Sequence, residues 1–137
     1  MAVRIVLADD HALVRRELRR LLEAEKDWLV CGETDNAEDA VHRCDTLRPD
    51  AAVLDISMPM MGGLEATKRI REMAPAIPVV LVSVHLNETL LTAAVDAGAR
   101  GCILKSEAPA HLARAIRIVL RPDTTYFPPE LRNRNRF

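Results

Sequence analysis

The stretch Ala51-Ala52-Val53-Leu54-Asp55 places a carboxylate directly after four apolar residues. Two other apolar runs also end in charged groups, one in the pair Asp9-Asp10 and one in Lys105. If the three runs are parallel strands of one sheet, their charged groups meet at its carboxyl edge, where open α/β sheets bind their ligands. Neighbouring carboxylates repel one another unless a cation joins them. The cluster therefore predicts a functional site.

Strand-like and helix-like patterns alternate five times along the chain. Short apolar runs rich in β-branched residues predict strands near residues 3–8, 28–32, 51–55, 78–83 and 101–104. The segments that follow them carry apolar residues at helical spacing. Five βα units predict a doubly wound α/β domain, in which helices cover both faces of a five-stranded parallel sheet.

Composition narrows the class of protein. The 137 residues are 49% hydrophobic with few aromatics, which suits one domain with an aliphatic core. The net charge of −1 gives no overall argument for a nucleic-acid or membrane partner. No signal-peptide pattern or membrane-length apolar run occurs, so a soluble cytoplasmic protein is expected. Three cysteines without metal-type spacing predict buried thiols, and four scattered histidines predict no zinc site.

Ordered motifs at four strand ends resemble one known family. These motifs are Leu7-Ala8-Asp9-Asp10-His11, Leu54-Asp55-Ile56-Ser57-Met58-Pro59 with Gly63, Val82-Ser83, and Leu104-Lys105. Together they resemble bacterial two-component response-regulator receiver domains over roughly residues 3–121. The resemblance implies a (βα)5 flavodoxin-like receiver fold with strand order 2-1-3-4-5. The Asp-His pair, the Ser-Glu after the lysine and the segment 126–131 are most similar to the NarL/FixJ (LuxR-type) subfamily.

By this resemblance Asp55 is the phosphoacceptor, because a carboxylate can attack phosphorus and hold an acyl phosphate. The resemblance also implies a Mg²⁺ site with Asp10 and Asp55 as ligands. Asp9 would bind through water, and the backbone carbonyl of Ser57 would complete the set. Magnesium usually keeps several waters beside one or two carboxylates. The alternative for the aspartate pair is helix capping, and both roles can coexist.

Two further residues are implied to assist the phosphoryl group. Lys105 would supply a compact positive charge, and the alternative is a lysine that merely neutralises the three acids. Ser83 would donate a hydrogen bond to a phosphoryl oxygen and so couple chemistry to shape. The alternative for Ser83 is a solvated serine that ends a strand.

The chain departs from the family pattern at three positions. Cys102 replaces the aromatic residue that usually lies three positions before the lysine, and a small thiol cannot act as a swinging ring. Val84 follows the serine where a small residue is common, and could narrow access to Asp55. Ser106 replaces the proline that often follows the lysine, which leaves the geometry of that loop open.

The resemblance implies a phosphorylation-controlled switch rather than an enzyme, assisting only its own phosphorylation and slow dephosphorylation. The partner would be a sensor histidine kinase or phosphotransfer protein, and a phosphorylation-dependent homodimer is compatible with the subfamily. Residues 1–121 would form the receiver domain. Residues 122–137 are expected to be a tail or truncated linker with no DNA-binding domain, so DNA contact and transcription regulation would require a carboxyl-terminal domain absent from this sequence.

Two other functions, and one other use of the tail, are compatible with parts of the sequence. A haloacid-dehalogenase-type phosphatase also uses a strand-end aspartate with magnesium, but Ser57 stands where that chemistry needs a second aspartate as general acid. A receiver-like interaction module that works without phosphorylation would explain Cys102. The three arginines within residues 131–137 predict a flexible tail, with a weak nucleic-acid contact as the alternative.

Overall fold

The computed structural model describes residues 2–128 and shows the predicted parallel sheet. Its five strands lie in the order β2-β1-β3-β4-β5, and every pair of neighbours is parallel. The strands are β1 (Val3–Ala8), β2 (Trp28–Thr34), β3 (Ala51–Asp55), β4 (Val79–Ser83) and β5 (Gly101–Leu104). The predicted fold class and strand order are confirmed.

A helix follows each strand, in accord with the repeated βα pattern. The helices are α1 (Ala12–Glu23), α2 (Ala37–Leu47), α3 (Gly63–Met73), α4 (Glu88–Ala97) and α5 (Ala108–Val119). The side chains of Asn36 and Asn87 accept hydrogen bonds from amides of the first turns of α2 and α4. Gly98 ends α4 with a φ of 98°, a left-handed conformation that glycine adopts without steric cost.

The sheet separates two aliphatic cores. Helices α1 and α5 cover one face, where Leu22 and Ile116 are fully buried. Helices α2, α3 and α4 cover the other face, where Ile70 and Leu91 are buried. All five residues of the central strand β3 are buried, because helices lie on both sides of it.

Two strand boundaries differ from the sequence prediction. Strand β2 continues to Thr34, which pairs with Ala8 of β1. The apolar run predicts a strand only near residues 28–32. Glu33, which lies beyond that run, is paired with two arginines of α1, Arg15 and Arg19, at 2.9 and 2.6 Å. Strand β4 begins at Val79 rather than at residue 78, where proline has no amide to donate.

The start of the expected tail packs against the domain. The amide of Tyr126 donates to the carbonyl of Arg100 at 2.9 Å, and the neighbouring Phe127 is buried. The arginine-rich segment 131–137, predicted to be flexible, lies outside the described residues. Among residues 2–128, no helix combines the length and the apolar character that crossing a bilayer requires.

Candidate functional site

The carboxyl edge of the sheet brings the predicted charged residues together. Asp9 follows β1, Asp55 ends β3 and Lys105 follows β5. The Lys105 ammonium lies 2.8 Å from Oδ2 of Asp9 and 3.1 Å from Oδ2 of Asp55. One lysine thus bridges carboxylates from two adjacent strands. The arrangement partly neutralises a buried cluster that would otherwise be strongly repulsive.

Burial makes the electrostatics of this cluster strong. The Asp9 side chain is fully buried and Asp55 is only 2% exposed. Burial raises the pKa of Asp55, an effect that hydrogen bonds from Lys105 and the Ser57 amide oppose and the charge of Asp9 reinforces. For Lys105, burial alone would lower the pKa, but hydrogen bonds and charges from both aspartates outweigh it and raise the pKa. The ammonium therefore stays charged beside the carboxylates.

The structure does not support a helix-capping role for the aspartate pair. Helix α1 has His11 at its amino-terminal cap, without a side-chain cap bond. Oδ1 of Asp9 instead accepts the His11 amide at 2.8 Å, in a local turn two residues long. The carboxylates of Asp9 and Asp10 are therefore not used to cap α1, and both face the acid cluster where a cation can bind.

A divalent cation fits this cluster by its donor chemistry. Carboxylate oxygens of Asp9, Asp10 and Asp55, together with a ring nitrogen of His11, all lie within 4.8 Å of one another. Oδ2 of Asp9 and Oδ2 of Asp55 are buried and have the Lys105 ammonium as their polar partner, and the buried Oδ1 of Asp10 has the imidazole of His11 nearby. Three carboxylates facing one point match the oxygen ligands that Mg²⁺ prefers.

His11 is a neighbour of the acid cluster that sequence reasoning did not assign to the site. Its Nδ1 lies 3.2 Å from Oδ1 of Asp10 and 3.5 Å from Oδ1 of Asp9. The Asp-His spacing was visible in the sequence, but only the turn at Asp9 directs the imidazole toward the carboxylates.

Ser83 is held within its own loop rather than solvated. It is buried at the end of β4, whose residue Val82 is the register partner of Asp55. The Ser83 hydroxyl donates to the carbonyl of His85 at 2.6 Å and accepts the His85 amide at 3.3 Å. The hydroxyl thus lies on the strand next to Asp55 and fixes the start of the β4–α4 loop.

Gly63 approaches the Asp55 backbone very closely. A Cβ atom added at position 63 would lie 2.3 Å from the Asp55 carbonyl oxygen. The Gly63 amide also donates to the Ile56 carbonyl at 3.0 Å, which ties α3 to the end of β3. Gly63 belongs to the sequence motif that follows Asp55, but its steric role depends on the packing of α3 against β3.

The three departures from the family pattern have distinct structural settings. Cys102 is fully buried on β5, and burial raises the pKa of its thiol to about 12. Val84 is 63% exposed. Lys105–Glu107 form a 3₁₀ turn, and residues 2–128 contain no cis peptide bond, so Ser106 follows Lys105 through an ordinary trans bond. Of the three predicted buried thiols, Cys44 and Cys102 are buried and Cys31 is half-buried.

Comparison with known proteins identifies the family. Residues 5–117 match the response regulator receiver domain. This chain belongs to the response-regulator receiver family. The family assignment disfavours the phosphatase alternative, which requires a different arrangement of acids.

The relatives of this receiver domain are response regulators. It is 40% identical to the response regulator UvrY of Escherichia coli K12 over 117 residues, which cover 85% of this chain and 54% of UvrY. It is 34% identical to GacA of Pseudomonas viridiflava over 129 residues, which cover 94% of this chain and 60% of GacA. The chain therefore spans little more than half the length of these curated relatives.

Solved structures support the predicted subfamily. A LuxR-family two-component response regulator from Aurantimonas sp. SI85-9A1 is 33% identical, with a TM-score of 0.90 and coverage of 97% of this chain and 94% of that one. The signal receiver domain of a putative NarL from Mycobacterium tuberculosis is 30% identical, with a TM-score of 0.84 and coverage of 88% and 98%. This domain is thus a two-component receiver of the NarL/LuxR type.

Proposed function

We propose that this receiver domain is a phosphorylation-controlled switch with Asp55 as its phosphoacceptor. The observation that carries the proposal is the position of Asp55 at the end of a buried central strand, 3.1 Å from the Lys105 ammonium. A carboxylate fixed in this way is a nucleophile with a charge-neutralising group already beside it. The donor would be the phosphohistidine of a sensor kinase or phosphotransfer protein.

The proposed phosphoryl transfer needs no reactant besides the phosphohistidine donor and Asp55. An Oδ atom of Asp55 attacks phosphorus as the bond from phosphorus to the donor's imidazole nitrogen breaks. The electron pair of that bond remains on the imidazole, and the product is an acyl phosphate. Lys105 lies where its charge can stabilise phosphoryl oxygens, as phosphoryl transfer requires. Ser83 could exchange its bond to the His85 carbonyl for a bond to a phosphoryl oxygen.

Asp10 and Asp55 would hold Mg²⁺ directly, with Asp9 acting through water and Ser57 through its carbonyl. The close approach of buried oxygens from all three carboxylates, which Lys105 only partly neutralises, supports this ligand set. The Ser57 amide donates to Oδ1 of Asp55 at 3.2 Å, which keeps Ser57 beside the cluster. The bound ion would neutralise charge on the phosphoryl oxygens.

We also propose a cellular location and an output for this domain. A cytoplasmic receiver of the NarL/LuxR type would regulate transcription through a DNA-binding domain elsewhere in the full regulator, and would self-associate in response to phosphorylation. It would turn over no separate substrate, assisting only its own phosphorylation and slow dephosphorylation. The receiver-like module that works without phosphorylation remains the competing function, and the acid cluster argues against it.

Mapping of a modified residue tests this function. Incubation with acetyl phosphate and Mg²⁺, followed by mass spectrometry, should show one phosphoryl group on Asp55, and none with a chelator present. Asp55→Asn should abolish the signal, whereas Asp45→Asn, which alters an exposed aspartate of α2, should leave it unchanged. Undiminished phosphorylation of the Asp55→Asn variant would contradict the proposal.

A further inference from the structure

The segment that follows α5 forms a single parallel β-bridge with β5, the strand at the free edge of the sheet. We call residues 122–128 the post-α5 segment. The amide of Tyr126 donates to the Arg100 carbonyl at 2.9 Å, and the Cys102 amide donates to the Tyr126 carbonyl at 3.0 Å. These bonds make a parallel bridge between Tyr126 and Gly101. The segment thus satisfies backbone groups that β5 would otherwise expose as an edge strand.

Side chains anchor the post-α5 segment on both faces of the sheet. Phe127 is only 8% exposed and lies in the same apolar cluster as Cys102 and Leu91 of α4. On the opposite face, the Tyr126 hydroxyl lies 2.7 Å from Nδ1 of His111 on α5. Phe127 therefore adds an aromatic ring to this cluster, to which Cys102 contributes only a small side chain.

Further bonds hold the turn that leads into the segment. The Arg100 guanidinium donates to the carbonyls of Thr124 and Arg121 at 2.8 and 3.0 Å. The Thr124 hydroxyl donates to the carbonyl of Ile118, near the end of α5. The segment consequently behaves as part of the folded domain, held by a few identifiable contacts.

Both sides of the phosphoacceptor site lead to the cluster around Phe127. On one side, Lys105 contacts Asp55 and lies three residues after Cys102. The Cys102 amide donates a hydrogen bond to Tyr126 of the post-α5 segment. On the other, Ser83 fixes the start of the β4–α4 loop, and Leu86 and Leu90 of the following stretch pack on the same apolar cluster. Residues next to Lys105 and next to Ser83 therefore share one packed apolar cluster with Phe127, which gives a change at either group a physical route to the segment.

We propose that the post-α5 segment is the output element of the switch, docked while Asp55 is unmodified and released when it is phosphorylated. This inference rests on the proposed function. The Ser83 hydroxyl can donate its hydrogen bond to the His85 carbonyl in the unmodified state or to a phosphoryl oxygen in the phosphorylated state. The two states therefore differ in a specific contact, as a ligand-driven conformational change requires. Moving that loop rearranges the apolar cluster that α4 and Phe127 share, and the hydrogen bonds of Tyr126 to the edge of β5 are lost with it.

Amide hydrogen exchange measures the docking directly. Beryllofluoride with Mg²⁺ should accelerate exchange of the Cys102 and Tyr126 amides at least tenfold in the full chain. The Asp50 amide, bonded to the Arg4 carbonyl where β3 begins beside β1, lies away from β5 and is the internal control that should not change. Amide shifts around Asp55 report independently whether beryllofluoride binds.

The outcomes separate this inference from the function on which it rests. Binding at Asp55 with unchanged exchange at Cys102 and Tyr126 would overturn the coupling and leave the phosphoacceptor role intact. Absence of binding at Asp55 would overturn both. Equal acceleration at Asp50 would show general loosening of the domain, and would also overturn a specific release of the segment.

Variants at Phe127 test the same coupling from the other end. Phe127→Ala should accelerate exchange of the Cys102 amide without beryllofluoride, because it weakens docking of the segment. It should also tighten beryllofluoride binding by the same factor as it shifts the docking equilibrium, because coupling between two sites is reciprocal. Phe127→Leu keeps an apolar side chain in the cluster and should stay close to wild type. Faster exchange in Phe127→Ala with unchanged beryllofluoride affinity would refute the coupling.

Discussion

Gly63 lies so close to Asp55 that a Cβ atom at position 63 would be 2.3 Å from the Asp55 carbonyl oxygen. The contact joins the first residue of α3 to the last residue of β3, so the position of Asp55, the proposed phosphoacceptor, depends on a residue with no side chain. Because the obstructing atom belongs to the backbone, no rotamer change can relieve the clash.

We therefore expect Gly63→Ala to destabilise the domain by about 2–3 kcal/mol, as overpacking of a tight contact does. Phosphorylation by acetyl phosphate should also slow, because the end of β3 must shift. The neighbouring Gly62→Ala is the matched control, since its added Cβ would meet the Ile56 carbonyl at 3.3 Å, a much milder contact. Urea denaturation of both variants makes the comparison; equal stabilities would contradict it.

Asp10→Asn should abolish Mg²⁺ binding while stabilising the metal-free domain. The variant removes one charge from a cluster in which the carboxylates of Asp9, Asp10 and Asp55 converge. We expect the melting temperature in chelator to rise by roughly 2–5 °C, and the stabilisation by added Mg²⁺ to disappear. Calorimetric titration and thermal melts give the two measurements. An unchanged Mg²⁺ affinity would remove Asp10 from the ligand set.

Asp55→Asn should stabilise the metal-free domain in a pH-dependent way. Burial raises the pKa of Asp55, so the folded protein binds this proton more tightly than the unfolded chain does. Ionisation of Asp55 therefore lowers stability as pH rises through the raised pKa, whereas below the ordinary aspartate pKa the effect is absent. Thermal melts in chelator should show a gain for Asp55→Asn at pH 7 that vanishes in acid; a gain independent of pH would refute this account.

Lys105→Gln should be strongly destabilising without metal, because it leaves two buried carboxylates without their shared cation. Breaking a buried pair in this way typically costs about 3–5 kcal/mol. The double variant Lys105→Gln/Asp55→Asn should recover much of the loss, since one of the unpaired charges is then gone. Lys68→Gln, on the exposed face of α3, is the control. Additive effects in the double-mutant cycle would argue against the bridging ion pair.

Ser83→Ala should separate binding of a phosphoryl analogue from the conformational response. The variant retains Asp55 and Lys105, so beryllofluoride should still bind, about tenfold more weakly for the loss of one hydrogen bond to a charged group. It should no longer accelerate exchange at Cys102. Ser57→Ala, which keeps the backbone groups beside Asp55, should respond as wild type does. A full response in Ser83→Ala would exclude the hydroxyl from the transmission.

Local sequence determined the fold class and most of the site. Runs such as 51–55 are continuously apolar because a parallel sheet is buried on both faces, and each is followed by an apolar helical stripe. Parallel strands bring their carboxyl ends to one edge, so the encounter of Asp9, Asp55 and Lys105 could be expected from where three runs end. These features follow from periodicity and chain direction.

Tertiary structure alone decided the contacts between segments that lie far apart in the chain. The extension of β2 to Thr34 depends on pairing with β1 and on arginines of α1, because the polar sequence of that edge gives no strand signal. The docking of Phe127 depends on an apolar cluster built from several strands and helices and on hydrogen bonds between Tyr126 and the edge of β5. Such contacts are set by three-dimensional packing and by the pairing of backbone groups, neither of which has a local pattern in the sequence.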